Sequence, residues 1–233
     1  MTDLKQRMSG QITQWQTAQD DRAIFLQCYA MMTANMLEAV RDEQFIDNVW
    51  VTRLIHDFAE YYFVALTQYD AQEIPPVWHD AFERACSRRA HVLQNLLLGV
   101  NAHICYDLIF AMVDMLEDEW QDLSAEQRDA RYRDYCHVNE IIAQTLDAVQ
   151  DEVVETRSTI MAVVDDAFGR LDEWAIHQLI KRWREQVWGQ ALVYLSASPT
   201  DRPALQRAYA EKANQRARVI CGQDSVRGLI DLL

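Results

Sequence analysis

The stretch Leu96-Leu97-Leu98-Gly99-Val100-Asn101-Ala102-His103-Ile104-Cys105-Tyr106-Asp107-Leu108 carries three strongly polar side chains, Asn101, His103 and Asp107, among residues that are apolar on almost every side of a helix. A surface helix shows one apolar stripe, whereas a helix that is apolar all round belongs in a protein interior. The segment therefore predicts a central apolar helix, about 89–120, with the rest of the chain packed around it. It also predicts a difficulty, because an ionisable side chain in apolar surroundings is costly unless something pairs with it. His103 and Asp107 stand four apart and Asp114 seven further on, so all three fall on one helix face with Leu96 and Phe110.

Reading outward for a 3.6-residue period gives further apolar stripes at 3–18, 21–42, 45–70, 77–88, 125–155, 158–170, 172–196 and 202–221. The punctuation agrees. Pro75 and Pro76 end one helix and suit the first turn of the next. Ser124 and Gln127 have the spacing of a capping box, and Ser198-Pro199-Thr200-Asp201 reads as a loop. Only 6 glycines and 4 prolines stand among 233 residues, too few for the tight turns of many short strands or for a glycine-rich phosphate loop. The expected fold is all-α, a single domain over 1–233 of eight or nine helices, with 222–233 as a loosely attached end. No composition shift or internal repeat divides it.

Twenty-two Lys and Arg against 36 Asp and Glu give a formal charge of −14, a field that repels nucleic acid. The five cysteines, odd in number and without a C-x-x-C pair, read as reduced thiols of a cytoplasmic protein. No segment has the run of about 18 uninterrupted apolar residues that a membrane span needs, and the polar N-terminus does not read as a signal peptide. The last helix has a basic face, Arg202, Arg207, Lys212, Arg216 and Arg218, expected to dock against carboxylates of the same chain.

Polar residues on apolar stripes are the sequence's best pointers to function. Trp50, Leu54, Asp57, Tyr61 and Val64 share one side of a helix, with Asp57 in the middle, while His56 and Glu60 read as solvated. Asn139 falls among Tyr135, Ile142 and Leu146, with His137 facing away. Arg184 falls among Ile176, Ile180, Val187 and Ala191, while His177, Lys181 and Glu185 read as solvated. If these stripes converge, Asp57, His103, Asp107, Asn139 and Arg184 form one interior cluster with Asn101 and Asp114 nearby. Its excess negative charge is what a divalent metal or a cationic ligand would neutralise. Asp57, His103 and Asp107 offer the N and O donors suited to Zn, Mn or Fe.

Familiar motifs do not close. His56-Asp57 resembles the doublet of HD-domain metal phosphohydrolases, but that pattern needs an upstream histidine and His56 is the first in the chain. Asp114 with Glu117 and Asp118 resembles the acidic helix of isoprenoid synthases without its aspartate pairing. The central helix, by contrast, resembles the L-L-G-x-N-A-H-I-x-x-D-L signature of a bacterial, all-helical family of unknown function. The resemblance extends through Asp57-Phe58-Ala59 with Tyr62, Pro76 with Trp78 and Phe82, Val138-Asn139 with Ile142, and Arg184 with Trp188. It implies a helical fold and draws attention to Asp57, Asn101, His103, Asp107, Asn139 and Arg184. It implies no particular activity, and at Asn95 many members carry histidine.

The expectation is a small soluble enzyme, with or without a divalent metal, acting on a small organic substrate. Asp57, His103 and Asp107 would be catalytic groups or metal ligands, and Arg184, Asn139 and Asn101 would orient the substrate. The competing expectation is a helical interaction or regulatory protein whose cluster is a structural ion network.

Overall fold

A computed structural model describes residues 2–73, 76–87, 92–152 and 173–222. Among these the chain is all-α and contains no strand. The helices are α1 (Thr2–Ala18), α2 (Arg22–Arg41), α3 (Asn48–Asp70), α4 (His79–Cys86), α5 (Val92–Ala102), α6 (Leu108–Leu116), α7 (Ala125–Glu152), α8 (Glu173–Ser196) and α9 (Arg202–Cys221). A π-helical turn, His103–Asp107, joins α5 to α6, so that Val92–Leu116 is one continuous rod. The expected helix at 158–170 and the tail beyond Gly222 lie outside the described residues.

That rod is the centre of the fold, as its composition requires. Helices α2, α3, α4, α8 and α9 all pack on it, and Ala102, Ile109, Ala111, Met112 and Leu116 have no exposed surface. Each large side chain fully buried in this way contributes about 1.5–3 kcal/mol. Both Arg22–Arg41 and Val92–Leu116 have the length and hydropathy of a membrane span. In Val92–Leu116 most of that apolar surface is already covered by the surrounding helices.

The helix ends follow local chemistry. Ser124 closes its capping box in both directions, its N–H donating to Gln127 Oε1 at 2.8 Å and its Oγ accepting from Gln127 N–H at 3.3 Å. Asp47 caps α3 by accepting from Trp50 N–H at 2.9 Å. The turn before it is held by Asp134 of α7, a buried carboxylate that accepts from the N–H groups of Ile46 and Asp47 at 2.8 and 2.9 Å. Three turns after helices place Gln19, Glu43 and Gln72 at positive φ, the left-handed conformation that most chains give to glycine. A chain with few glycines can end its helices this way, at a modest energetic cost.

The basic face of α9 docks only in part. Arg202 pairs with Glu117 and Arg216 donates to Gln186 Oε1 at 2.6 Å, whereas Arg218 pairs within its own helix with Glu211.

Candidate functional site

The π turn is where the central helix departs from regularity. Leu108 N–H donates to His103 O, one residue beyond the α-helical partner, and the extra residue rotates the following turn. Within it His103 Nδ1 lies 3.0 Å from Asp107 Oδ2, both residues being buried, with 2% and 4% of their surface exposed. The indole of Trp78, in the turn before α4, donates from Nε1 to the same Oδ2 at 2.9 Å. An indole N–H can only donate, so this oxygen accepts from it, and with Asp107 ionised the second contact is met by an Nδ1–H of the imidazole. The lone pair is then on Nε2. Burial lowers the His103 pKa, outweighing the opposite pull of Asp107, and raises the pKa of Asp107.

Nε2 has no hydrogen-bond partner and is buried. His103 stands in the wall of a cavity of about 160 Å³ lined by residues of α2, α3, the central rod, α7 and α8. Aromatic rings crowd the imidazole. Phe58 stacks flat against it, Tyr29 meets it edge-on at 4.5 Å, and Phe25, Trp78 and Tyr62 have centroids 6.0, 5.9 and 6.1 Å away. Most of the remaining wall is aliphatic or thioether, with Met31, Met32 and Met36 contributed by α2. Cys28 also lines it, but burial pushes that thiol up to about 12, so it is protonated at neutral pH.

Arg184 of α8 is the cavity's other strongly polar group. Its Nε donates to Asn139 Oδ1 at 2.7 Å and its Nη2 to Tyr135 O at 2.8 Å, while the Tyr135 hydroxyl donates back to Arg184 O at 2.6 Å. The guanidinium carbon lies 4.3 Å from the centre of the Tyr135 ring. Three reciprocal contacts thus lock α7 to α8 at this point.

The expected cluster is therefore split and reduced. His103 and Asp107 form one nest, Arg184 and Asn139 another, and the cavity lies between the two. Asn139 touches the cavity only through Arg184. Asp57 does not join. Its side chain is 39% exposed and pairs with Arg53 one turn back, because the buried face of α3 runs through Val51, Tyr62 and Leu66, with the half-buried Phe58 between them. Asp114 is exposed and accepts from the Tyr61 hydroxyl at 2.6 Å. Asn101 is buried away from the cavity, where its Nδ2 donates to Ala213 O of α9 at 2.9 Å. Among the described residues no three His, Cys, Asp or Glu side chains converge, so the ligand set Asp57, His103 and Asp107 is not assembled.

Two participants were absent from the expected cluster, Phe58 and Trp78. The only sequence signal for them was their place in the family resemblance. Gly99, in the same signature, is explained by Phe25, whose ring lies against its backbone where any Cβ would overlap it.

Residues 1–223 match the model of a family described as "Family of unknown function (DUF5995)". The chain belongs to the DUF5995 family. No curated protein and no solved structure matches it. The all-helical fold, with His103 of its π turn in the wall of an apolar cavity, is thus the structural frame within which the function of this DUF5995 chain has to be sought.

Proposed function

We propose that this protein is an acid–base enzyme that binds a small, largely apolar molecule in the central cavity and takes a proton from it at His103 Nε2. One observation carries the reading: an imidazole held by Asp107 and Trp78 lines an apolar cavity and keeps a buried ring nitrogen, Nε2, without a hydrogen-bond partner. A buried acceptor left bare costs about 1–3 kcal/mol, which a substrate O–H or N–H would recover. When Nε2 takes the proton, the imidazolium that forms is stabilised by the Asp107 carboxylate on the other side of the ring. The aromatic box excludes water and strengthens that interaction. The cavity's size, similar to apolar cavities of about 150 Å³ that hold benzene, restricts the substrate to roughly one ring or a short chain.

p-Nitrophenol tests the reading, because its absorption changes when its proton is lost or shared. Saturable binding with the red-shifted spectrum of a hydrogen-bonded phenol is expected for the wild type, with that shift lost in His103→Gln while near-ultraviolet circular dichroism is kept. Absence of binding to the wild type, or the same spectrum in both proteins, would overturn it.

A further inference from the structure

Resting on that reading, we infer that the cavity's ligand is an anion, a small carboxylate with an apolar body, and that Arg184 holds its charged group. An arginine does not readily shed its proton to escape burial, so a buried guanidinium without a compensating charge carries a desolvation penalty. Arg184 has 4% of its surface exposed, and its side-chain hydrogen bonds go to an amide oxygen and a backbone carbonyl, both neutral.

Two half-buried arginines are treated differently. Arg22 holds both Asp20 and Asp70, and Arg131 holds both Asp47 and Glu119. Among the described residues no carboxylate pairs with Arg184, although the chain has 36 acidic residues. Glu185, its immediate neighbour, turns away to accept from the Tyr132 hydroxyl. The charge has been placed in the cavity wall and left for something else to neutralise.

The rest of the site fits a carboxylate ligand. Asn139 and Tyr135 fix the guanidinium from the side away from the cavity and the Tyr135 ring lies beneath it, so its orientation is set before any ligand arrives. A carboxylate would accept charge-assisted hydrogen bonds there, stronger than those between neutral groups. The apolar wall would cover the rest of the molecule, and His103 Nε2 would accept from a hydroxyl or amine on it.

Isothermal titration calorimetry with two matched pairs, benzoate against toluene and hexanoate against hexan-1-ol, tests the inference at pH 7. The wild type should bind each carboxylate at least about tenfold more tightly than its uncharged partner. Arg184→Met should lose that preference while keeping affinity for toluene, and Arg184→Lys should keep part of it. Should Arg184→Met not fold, the wild-type pairs and Arg184→Lys still decide. Equal affinity within the pairs, or a preference unchanged in Arg184→Met, would overturn the anion assignment alone. Failure of all four probes to bind the wild type would instead count against the cavity as a binding site and so against both proposals.

Discussion

The imidazole of His103 lies flat on the ring of Phe58, with 3.6 Å between centroids and 6° between planes. The bond to Asp107 fixes one point of the imidazole and the stack fixes its plane, so the two together set the direction of Nε2. Phe58→Leu should remove the second constraint while retaining most of the apolar volume. A loss of about 1–2 kcal/mol of stability is expected from the lost packing and stacking. Affinity for p-nitrophenol should fall with it. Unchanged affinity measured by absorbance titration would show that the stack does not position the nitrogen.

Asp107 and Asp57 should behave in opposite ways. Asp107→Asn can keep an amide oxygen at the Oδ2 position that accepts from both donors, but it removes the negative charge that strengthens those bonds and buries an amide N–H in place of Oδ1, and a loss of about 1–3 kcal/mol is expected in urea unfolding. Asp57→Asn removes only an exposed pair with Arg53 and should change stability by less than about 0.5 kcal/mol. A large effect at Asp57 would restore it to the site.

That contrast marks how far the sequence could be read. The central helix was legible because its residues are apolar in every direction, and His103 with Asp107 because helical spacing alone brings them together. Arg184 and Asn139 were legible as polar breaks in apolar stripes. The stripe containing Asp57 misled because its ends are special cases. Trp50 is buried beside Arg131 at the start of α3, and Val64 is exposed. The inward face is centred on Phe58 and Tyr62. Trp78 reaches Asp107 from a separate segment, and no periodicity encodes such a contact. The π turn is invisible to a reading that assumes a constant 3.6-residue period.

Acidity should act on the two members of the dyad in opposite directions. The folded pKa of His103 lies below the ordinary 6.5, so between that lowered value and 6.5 the unfolded chain binds a proton that the folded chain refuses, and stability falls as pH falls. The folded pKa of Asp107 lies above the ordinary 3.8, so between 3.8 and that raised value the folded chain holds a proton that the unfolded chain has lost, and stability rises as pH falls. Asp107→Asn leaves only the histidine effect, and its stability should fall as pH is lowered below 6.5, by up to about 1.4 kcal/mol per pH unit. His103→Gln leaves only the carboxyl effect, and relative to wild type its stability should recover over the same range. Parallel pH profiles for both variants and the wild type, measured by urea unfolding, would show that neither group has a shifted pKa.

Gly99 and Phe25 provide a test of the packing behind the dyad. Phe25 lines the cavity and touches the edge of the His103 ring, and it reaches that position by lying across the backbone of Gly99. In an ordinary helix alanine is favoured over glycine by about 1 kcal/mol, so Gly99→Ala should stabilise the chain if propensity alone mattered. Here the added methyl meets the root of the Phe25 ring, which cannot swing aside without moving α2, and overpacking of this kind costs about 1–3 kcal/mol. The substitution should therefore be neutral to destabilising by about 2 kcal/mol in the wild type. Phe25→Ala, itself destabilising, removes the obstacle. In that background Gly99→Ala should be neutral or stabilising, giving a coupling of about 1–3 kcal/mol between the two positions. A thermodynamic cycle from four urea unfolding curves measures it, and additive effects would mean that the glycine in this signature is kept for something other than room for Phe25.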